Sequence, residues 1–414
     1  MTPEARRAQI IEVAREVFSK AGAGRTRMRD VAKAAGVTEQ LLYQHFDSRE
    51  ELFKLSVLDP LEEIVERLAA RLRALVKRTP SDLEMLHRQL HEAFLDNVIA
   101  MIPLLAAAQF SDPEKGPQYF SGHLIPRIRR SVVGLVQRLT GIAPRSVAME
   151  VAMRALLGAH FGIALETVLS RARLDVDRTA ERLSSLFGPG LARAHLDNIS
   201  TATRKGAVRR RAPAAAAGGR KRLRRAERED AILAAAREVF LQHGLAGARS
   251  KTIAERAAIT EAFMFRLFAT KEEIYEAAVL VPVTLGLTEL AEGASQIVDG
   301  ETDAAFLERL NRIASAFFSE YGRLCIVALF AELGEGQKFY RRSVAPKLVR
   351  LRTILGERFD VGEDPDGAEI LRRVITGANW GLSFGPRWPR HDPDDIVAIL
   401  TRLFTAGMQV QVRA

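Results

Sequence analysis

Cysteine is nearly absent: Cys325 is the only one in 414 residues. That excludes an intramolecular disulfide and any metal site built from several thiolates. Also missing is an uninterrupted run of the roughly 18 to 20 apolar residues that span a bilayer, so no membrane partner is expected. The opening residues, MTPEARRAQIIEVAREVF, are amphipathic from the start and carry no signal-peptide pattern. A cytoplasmic location is the expectation. Alternation of β-branched residues is scarce, and apolar residues recur at helical spacing instead, which predicts an all-α fold. No nucleophile elbow, phosphate loop or acid/base pair stands out, so neither enzyme chemistry nor a cofactor is expected.

Acidic residues are missing from one segment. Residues 201–226 read TATRKGAVRRRAPAAAAGGRKRLRRA, with ten Lys and Arg and no Asp or Glu. The formal charge of the whole chain is +10. The basic balance therefore belongs to this segment, and the remainder is formally neutral. A high isoelectric point is then no proof of nucleic-acid binding. The segment is poor in large apolar residues and is expected to be a disordered linker, a solvated tether by default, with weak phosphate contact as the second reading.

What is present is a repeat. With Ile10 placed over Ile232, the register holds without a gap to Phe53 over Tyr275, and AREVF at 14–18 recurs at 236–240. Further on, Phe110, Gly116 and Pro126 fall on Phe330, Gly336 and Pro346, and GAHFG at 158–162 falls on GANWG at 377–381. The whole unit is duplicated. The expected division is 3–58, a first helix-turn-helix; 59–200, a first helical domain; 201–226, the linker; 227–280, a second, divergent helix-turn-helix; and 281–414, a second helical domain.

Within the first copy, 27–46 reads RMRDVAKAAGVTEQLLYQHF. Val31, Ala32 and Ala35 share one helix face, and Val37, Leu41 and Leu42 face back at them. Gly36 sits at the turn, where φ > 0 is expected. Thr38 follows as an N-cap. Glu39, Gln40, Tyr43 and Gln44 are left on the outer side of a short helix. An ordinary αα-hairpin is the plainer reading of this stretch alone.

Residues 10–53 resemble the DNA-binding domain of the tetracycline-repressor (TetR) family. The resemblance rests on Phe18 to Gly22, Val31-Ala32, Ala35-Gly36-Val37-Thr38, Leu42-Tyr43-Gln44-His45-Phe46 and Ser48-Arg49-Glu50-Glu51-Leu52. It implies two all-helical units, each with a helix-turn-helix followed by a ligand-binding and dimerisation domain. It also implies double-stranded DNA as partner and repression relieved by a small molecule. By position it makes Arg27, Thr38, Gln40, Tyr43, His45 and Arg49 candidates for DNA contact. The amide of Gln40 is suited to a base edge, and Tyr43 and Arg49 to phosphates. Glu39 and Gln44 belong to the same face, and Glu39 is equally readable as a solvated first-turn acid. His45 beside Phe46 has a packing reading too.

In the second copy Gly36 becomes Ala258, Gln40 becomes Ala262, Tyr43 becomes Phe265 and His45 becomes Leu267. Arg249, Lys251, Thr260, Arg266 and Lys271 remain as candidate contacts. The second head is expected to read DNA differently or weakly, with loss of binding as the competing reading. Unlike heads predict an asymmetric operator with half-sites about 34–36 Å apart.

The last helices of both units, with small residues at Gly158, Gly162, Gly377 and Gly381, are expected to form a four-helix bundle, an intrachain pseudo-dimer. Two chains pairing through like units, or an architectural binder that needs no effector, are the alternatives. His87, His91, Phe94 and Phe161 are candidates for lining a pocket for a small apolar effector in the first unit. Phe317, Phe318, Cys325 and Trp380 are candidates in the second. Plain core packing is the competing reading for all of them. His87 and His91 stand one helical turn apart but have no third ligand at matching spacing, so no metal is expected.

Overall fold

The computed structural model describes residues 2–21, 26–77, 83–110, 115–193, 220–359, 367–382 and 392–411. Among these the regular structure is helical, as expected. The first unit opens with α1 (Pro3–Ala21), α2 (Met28–Ala35), α3 (Glu39–His45) and α4 (Arg49–Phe53). Its helical domain is α5 (Asp59–Lys77), α6 (Leu83–Gln109), the short α7 (Lys115–Gln118), α8 (Ile125–Thr140), α9 (Val147–Ser170) and α10 (Val176–Arg193). The second unit repeats the order. Its head is α11 (Arg220–Gly247), α12 (Ser250–Arg256), α13 (Glu261–Leu267) and α14 (Lys271–Tyr275). Then come α15 (Val281–Ser295), α16 (Asp303–Phe330), α17 (Leu333–Phe339), α18 (Ala345–Arg358), α19 (Gly367–Leu382) and α20 (Pro393–Gln411).

Pro60 follows closely on α4, where a proline kinks or breaks a continuing helix. The chain resolves the problem with a π-helical turn, Lys54–Leu58, which joins α4 to α5 and places Pro60 in the first turn of α5. The wider turn accommodates a proline that lacks an N–H and whose ring crowds the preceding turn. Pro126, Pro282 and Pro346 follow π turns in the same way, at Tyr119–Leu124, Glu276–Leu280 and Tyr340–Val344. The head-to-domain border expected at 58/59 is thus a continuous helical path.

Three expectations need correction. The basic segment 201–226 lies outside the described residues as far as 219, but 220–226 are the start of α11 and no linker. Arginine and alanine are good helix formers, and Arg225 pairs with Glu229 one turn on at 2.8 Å. Gly188-Pro189-Gly190, a sequence that reads as a helix break, lies inside α10. Finally, four helices are long and apolar enough by composition to cross a membrane: Glu84–Gln109, Val147–Ser170, Lys271–Ser295 and Asp303–Phe330. Each carries a few charges, so a count of uninterrupted apolar residues misses them. Half or more of each apolar window is buried against the rest of this protein.

The two units share one continuous apolar core. α9 lies against α19 and α10 against α20, which makes the four-helix pseudo-dimer. Gly158, Gly377 and Gly381 bring the α9 and α19 backbones into contact. A Cβ on Gly158 would fall 2.3 Å from the Gly377 carbonyl oxygen, and one on Gly381 would fall 2.4 Å from that of Arg154. Across this junction the buried Arg372 of α19 donates to Glu166 Oε1 of α9 at 2.5 Å and to Glu369 Oε1 at 2.7 Å. Burial alone would depress the Arg372 guanidinium, but the two carboxylates override it and hold it above its ordinary value.

Candidate nucleic-acid interface and helical cavity

The first head is built around Gly36, which adopts φ 66, ψ 34 and turns the chain from α2 into α3. Thr38 Oγ1 accepts from Leu41 N at 3.2 Å and caps α3. Leu42 is fully buried beneath the helix. Ser48 Oγ accepts from Glu51 N at 3.0 Å while Glu51 Oε2 accepts from Asp47 N at 2.6 Å, a reciprocal cap that starts α4. With its inner face and both ends satisfied, α3 presents Glu39, Gln40, Tyr43 and Gln44 to solvent. Tyr43 is 52% exposed, an unusual setting for an aromatic ring. Arg27, Glu39, Tyr43 and Arg49 come together around one polar cleft, which Ala246 of the second head also borders.

Two candidates have inward tasks. His45 is half-buried, its ring 6.3 Å from that of Phe46, in keeping with the packing reading. Arg49 donates from Nε to the Thr26 carbonyl at 2.8 Å and lies over Phe18, so it holds down the loop that leads into α2. Arg7 was not foreseen: its guanidinium sits over Phe46 at 5.1 Å and 3.7 Å from Glu51, bracing the end of α3. Its position near the chain start gave no local signal of that contact.

The second head has the same backbone with other side chains. Ala258 stands at φ 53, left-handed without being glycine. Thr260 Oγ1 caps α13 through Phe263 N at 3.2 Å. Arg266 and Arg228 both sit over the Phe263 ring, 4.9 and 5.1 Å from its centroid. Phe265 is 38% exposed. Arg249 is exposed at the start of α12, and Lys251 lies 3.9 Å from Glu255. Lys271 donates to the carbonyls of Leu245 and Ala248 at 2.8 and 3.1 Å, the counterpart of the Arg49 clamp.

The pocket candidates separate by unit. Phe317, Phe318, Cys325 and Trp380 line one cavity. Phe318 stacks on Trp380 at 5.9 Å, and burial pushes the Cys325 thiol up to about 12. Glu166 and Leu165 of the first unit complete one wall, which sequence reading missed because they lie in the other copy. Phe161 is at the junction as well, 5.7 Å from both Phe330 and Trp380. His87, His91 and Phe94, expected to line a first-unit pocket, are buried in the core, where His91 and Phe94 pack against His160.

The histidines form a defined network. His160 Nδ1 must donate to the Leu156 carbonyl at 2.7 Å, so its Nε2 accepts from His91 Nδ1 at 3.0 Å. Burial lowers His87 and His160 to about 4, and lowers His91 well below its ordinary value with His160 and His87 adding to the effect. All three are neutral. In the second unit the positions matching His91 and His160 are Asn311 and Asn379. Asn379 Nδ2 donates to Asn311 Oδ1 at 3.0 Å and to the Ile375 carbonyl at 2.9 Å.

Fold and site together define a helix-turn-helix protein built twice in one chain. The family model "Bacterial regulatory proteins, tetR family" matches residues 10–55 and again 232–278. The chain carries the TetR-family helix-turn-helix domain twice, in tandem. It is 46% identical over 63 residues to the HTH-type transcriptional regulator TtgR of Pseudomonas putida, covering 15% of this chain and 30% of TtgR. It is 37% identical over 81 residues to the HTH-type transcriptional repressor KstR2 of Mycobacterium tuberculosis, covering 20% and 38%. To the HTH-type transcriptional activator FasR of Mycolicibacterium smegmatis it is 36% identical over 91 residues, covering 22% and 39%. The chain thus spans about a third of the length of these curated relatives.

Proposed function

We propose that the protein is a cytoplasmic, non-enzymatic DNA-binding transcription regulator, a repressor released by a small apolar molecule. The observation that carries the reading is the capped α3 with Gln40 and half-exposed Tyr43 on its outer face, above the cleft shared by Arg27 and Arg49. Gln40 offers an amide to a base edge, while Arg27 and Tyr43 suit the phosphates beside it. The second head offers Arg249, Lys251 and Arg266 without Gln40 or the Tyr43 hydroxyl. The operator is therefore asymmetric, strongly read on one half-site and weakly on the other.

The route from cavity to heads runs through the segment around α17. Just before it, Glu332 accepts from the Ala246 amide of the second head at 2.7 Å. Its Gln337 donates to the Val168 carbonyl at 3.0 Å and accepts from Arg171 Nη2 at 3.0 Å, both in the first unit. α17 also meets α1 of the first head. A ligand that spreads α15, α16 and α18 has contacts through which to move both heads.

A footprint on the DNA flanking its own gene, with and without small apolar molecules, tests the proposal. A protected, asymmetric sequence is expected. Absence of any protected sequence rejects the regulator reading, and a perfect palindrome from binding-site selection rejects the unlike heads. Pairing between chains is the second reading. A solution mass of 45.8 kDa supports the intrachain pseudo-dimer, and twice that value supports a dimer of tandem chains.

A further inference from the structure

The cavity belongs to neither unit alone. Val283, Leu287, Phe318 and Trp380 come from the second unit, while Glu166 is supplied by α9 of the first. Glu166 is the only ionisable carboxylate among the residues lining it. Its bonds are lopsided. Oε1 accepts from Tyr340 Oη at 2.6 Å and from Arg372 Nη2 at 2.5 Å, whereas Oε2 holds no hydrogen bond among the described residues. The surrounding charge is already balanced: Glu166 and Glu369 face Arg372 and Arg373, with Arg373 Nε 3.8 Å from Glu166 and 2.9 Å from Glu369. A cation would upset that balance, and an anion would meet an acceptor. A neutral donor would satisfy Oε2 and leave the balance intact.

The first unit cannot repeat the arrangement. Where the second unit has Arg372 the first has Met153, and where it has Tyr340 the first has Phe120. Among the described residues one such arrangement is present.

We propose that this junction cavity binds one uncharged apolar molecule carrying a hydroxyl or N–H donor, with Glu166 Oε2 as its acceptor. The proposal rests on the effector reading above and specifies its ligand class and stoichiometry. Occupancy across the junction couples the units directly, because the ligand touches α9 of one and α15, α16 and α19 of the other.

Borneol and camphor test it. They share a bicyclic skeleton, but borneol donates a hydroxyl hydrogen and camphor's ketone only accepts. Trp380 reports binding by its fluorescence in the full chain carrying Trp388→Phe, which removes the second of the two tryptophans. Borneol is expected to bind about tenfold or more tighter than camphor, at one molecule per chain. Glu166→Gln, which keeps an acceptor for Tyr340 and Arg372, should reduce the preference to below about threefold. Leu287→Trp, which fills the cavity and leaves Glu166 in place, should abolish both signals. Equal affinities in the chain with Glu166 intact overturn the proposal whether or not Glu166→Gln folds, as does binding of two molecules per chain or of neither probe. The footprint is independent of these probes, so an unselective cavity in a protein that still protects an operator separates this failure from failure of the regulator reading.

Discussion

The two helix-turn-helix heads share one backbone and differ in what they display on it. At the turn, Gly36 sits at φ 66 and Ala258 at φ 53. Thr38 and Thr260 cap the next helix at the same 3.2 Å, and Arg49 and Lys271 hold the same loop. The outer face differs: Gln40 and Tyr43 stand opposite Ala262 and Phe265. Duplication kept the turn, the helix caps and the loop clamp, even through a strained alanine, and let go of the groups suited to reading bases. The cores repeat the lesson. A buried hydrogen-bonded pair is kept at the same two positions, as His91–His160 in one unit and Asn311–Asn379 in the other. The geometry persisted while the capacity to titrate did not.

Acid should break this comparison most strongly. A histidine lowered from 6.5 to about 4 keeps its full stabilising contribution above about pH 6.5, where both states are neutral. The unfolded chain takes up the proton first as pH falls, so stability drops between about 6.5 and 4, by about 1.4 kcal/mol per pH unit for each such histidine. The first unit is expected to lose several kcal/mol by pH 4. His91→Asn with His160→Asn, which copies the second unit, should remove much of that acid limb in denaturant titrations at pH 7 and 4.5. An unchanged limb would show that the histidines do not set it.

Next in size is the junction. Arg372→Met, which copies Met153 of the first unit, leaves Glu166 buried without its partner and should cost about 3–5 kcal/mol of unfolding free energy. A loss under about 1 kcal/mol would mean that the one-sided ion pair is immaterial to the pairing of the units.

The heads themselves come third. Gln40→Ala with Tyr43→Phe should weaken operator binding by about 1–3 kcal/mol in a gel-shift titration, and Ala262→Ser with Phe265→Leu by much less. Equal losses would overturn the ranking of the heads. The smallest effect is at the turns. Ala258→Gly should raise the stability of the second head by about 1 kcal/mol, and Gly36→Ala should lower that of the first by a similar amount. Nothing lies within 4 Å of a Cβ at Gly36, so that change isolates backbone strain from packing.

Much of this was readable along the chain. The repeat exposed the two units. Gly36 and Thr38 marked the turn and cap, and the apolar positions of α2 and α3 marked which face would be outward. The residues expected around the second-unit cavity do line it. Of the first-unit candidates, His87, His91 and Phe94 pack into the core, and a histidine at helical spacing reads alike whether it meets a ligand or another histidine. His160 is 69 residues from His91, and nothing local announces the pair. The inward bonds of Arg49 and Lys271 were hidden for the same reason: their carbonyl partners lie across a loop, more than 20 residues away.

The sequence by itself determined helices, caps, turns and duplication, because these depend on interactions within a few residues and on a periodicity visible in one dimension. Only the tertiary structure decided that α9 and α19 touch through glycine, that Glu166 is held by Arg372 from the other copy, and that one cavity is finished by both units. Those outcomes depend on which helix faces meet at close range, and residues 206 apart in the chain, as Glu166 and Arg372 are, come within hydrogen-bond reach only after the whole core has packed.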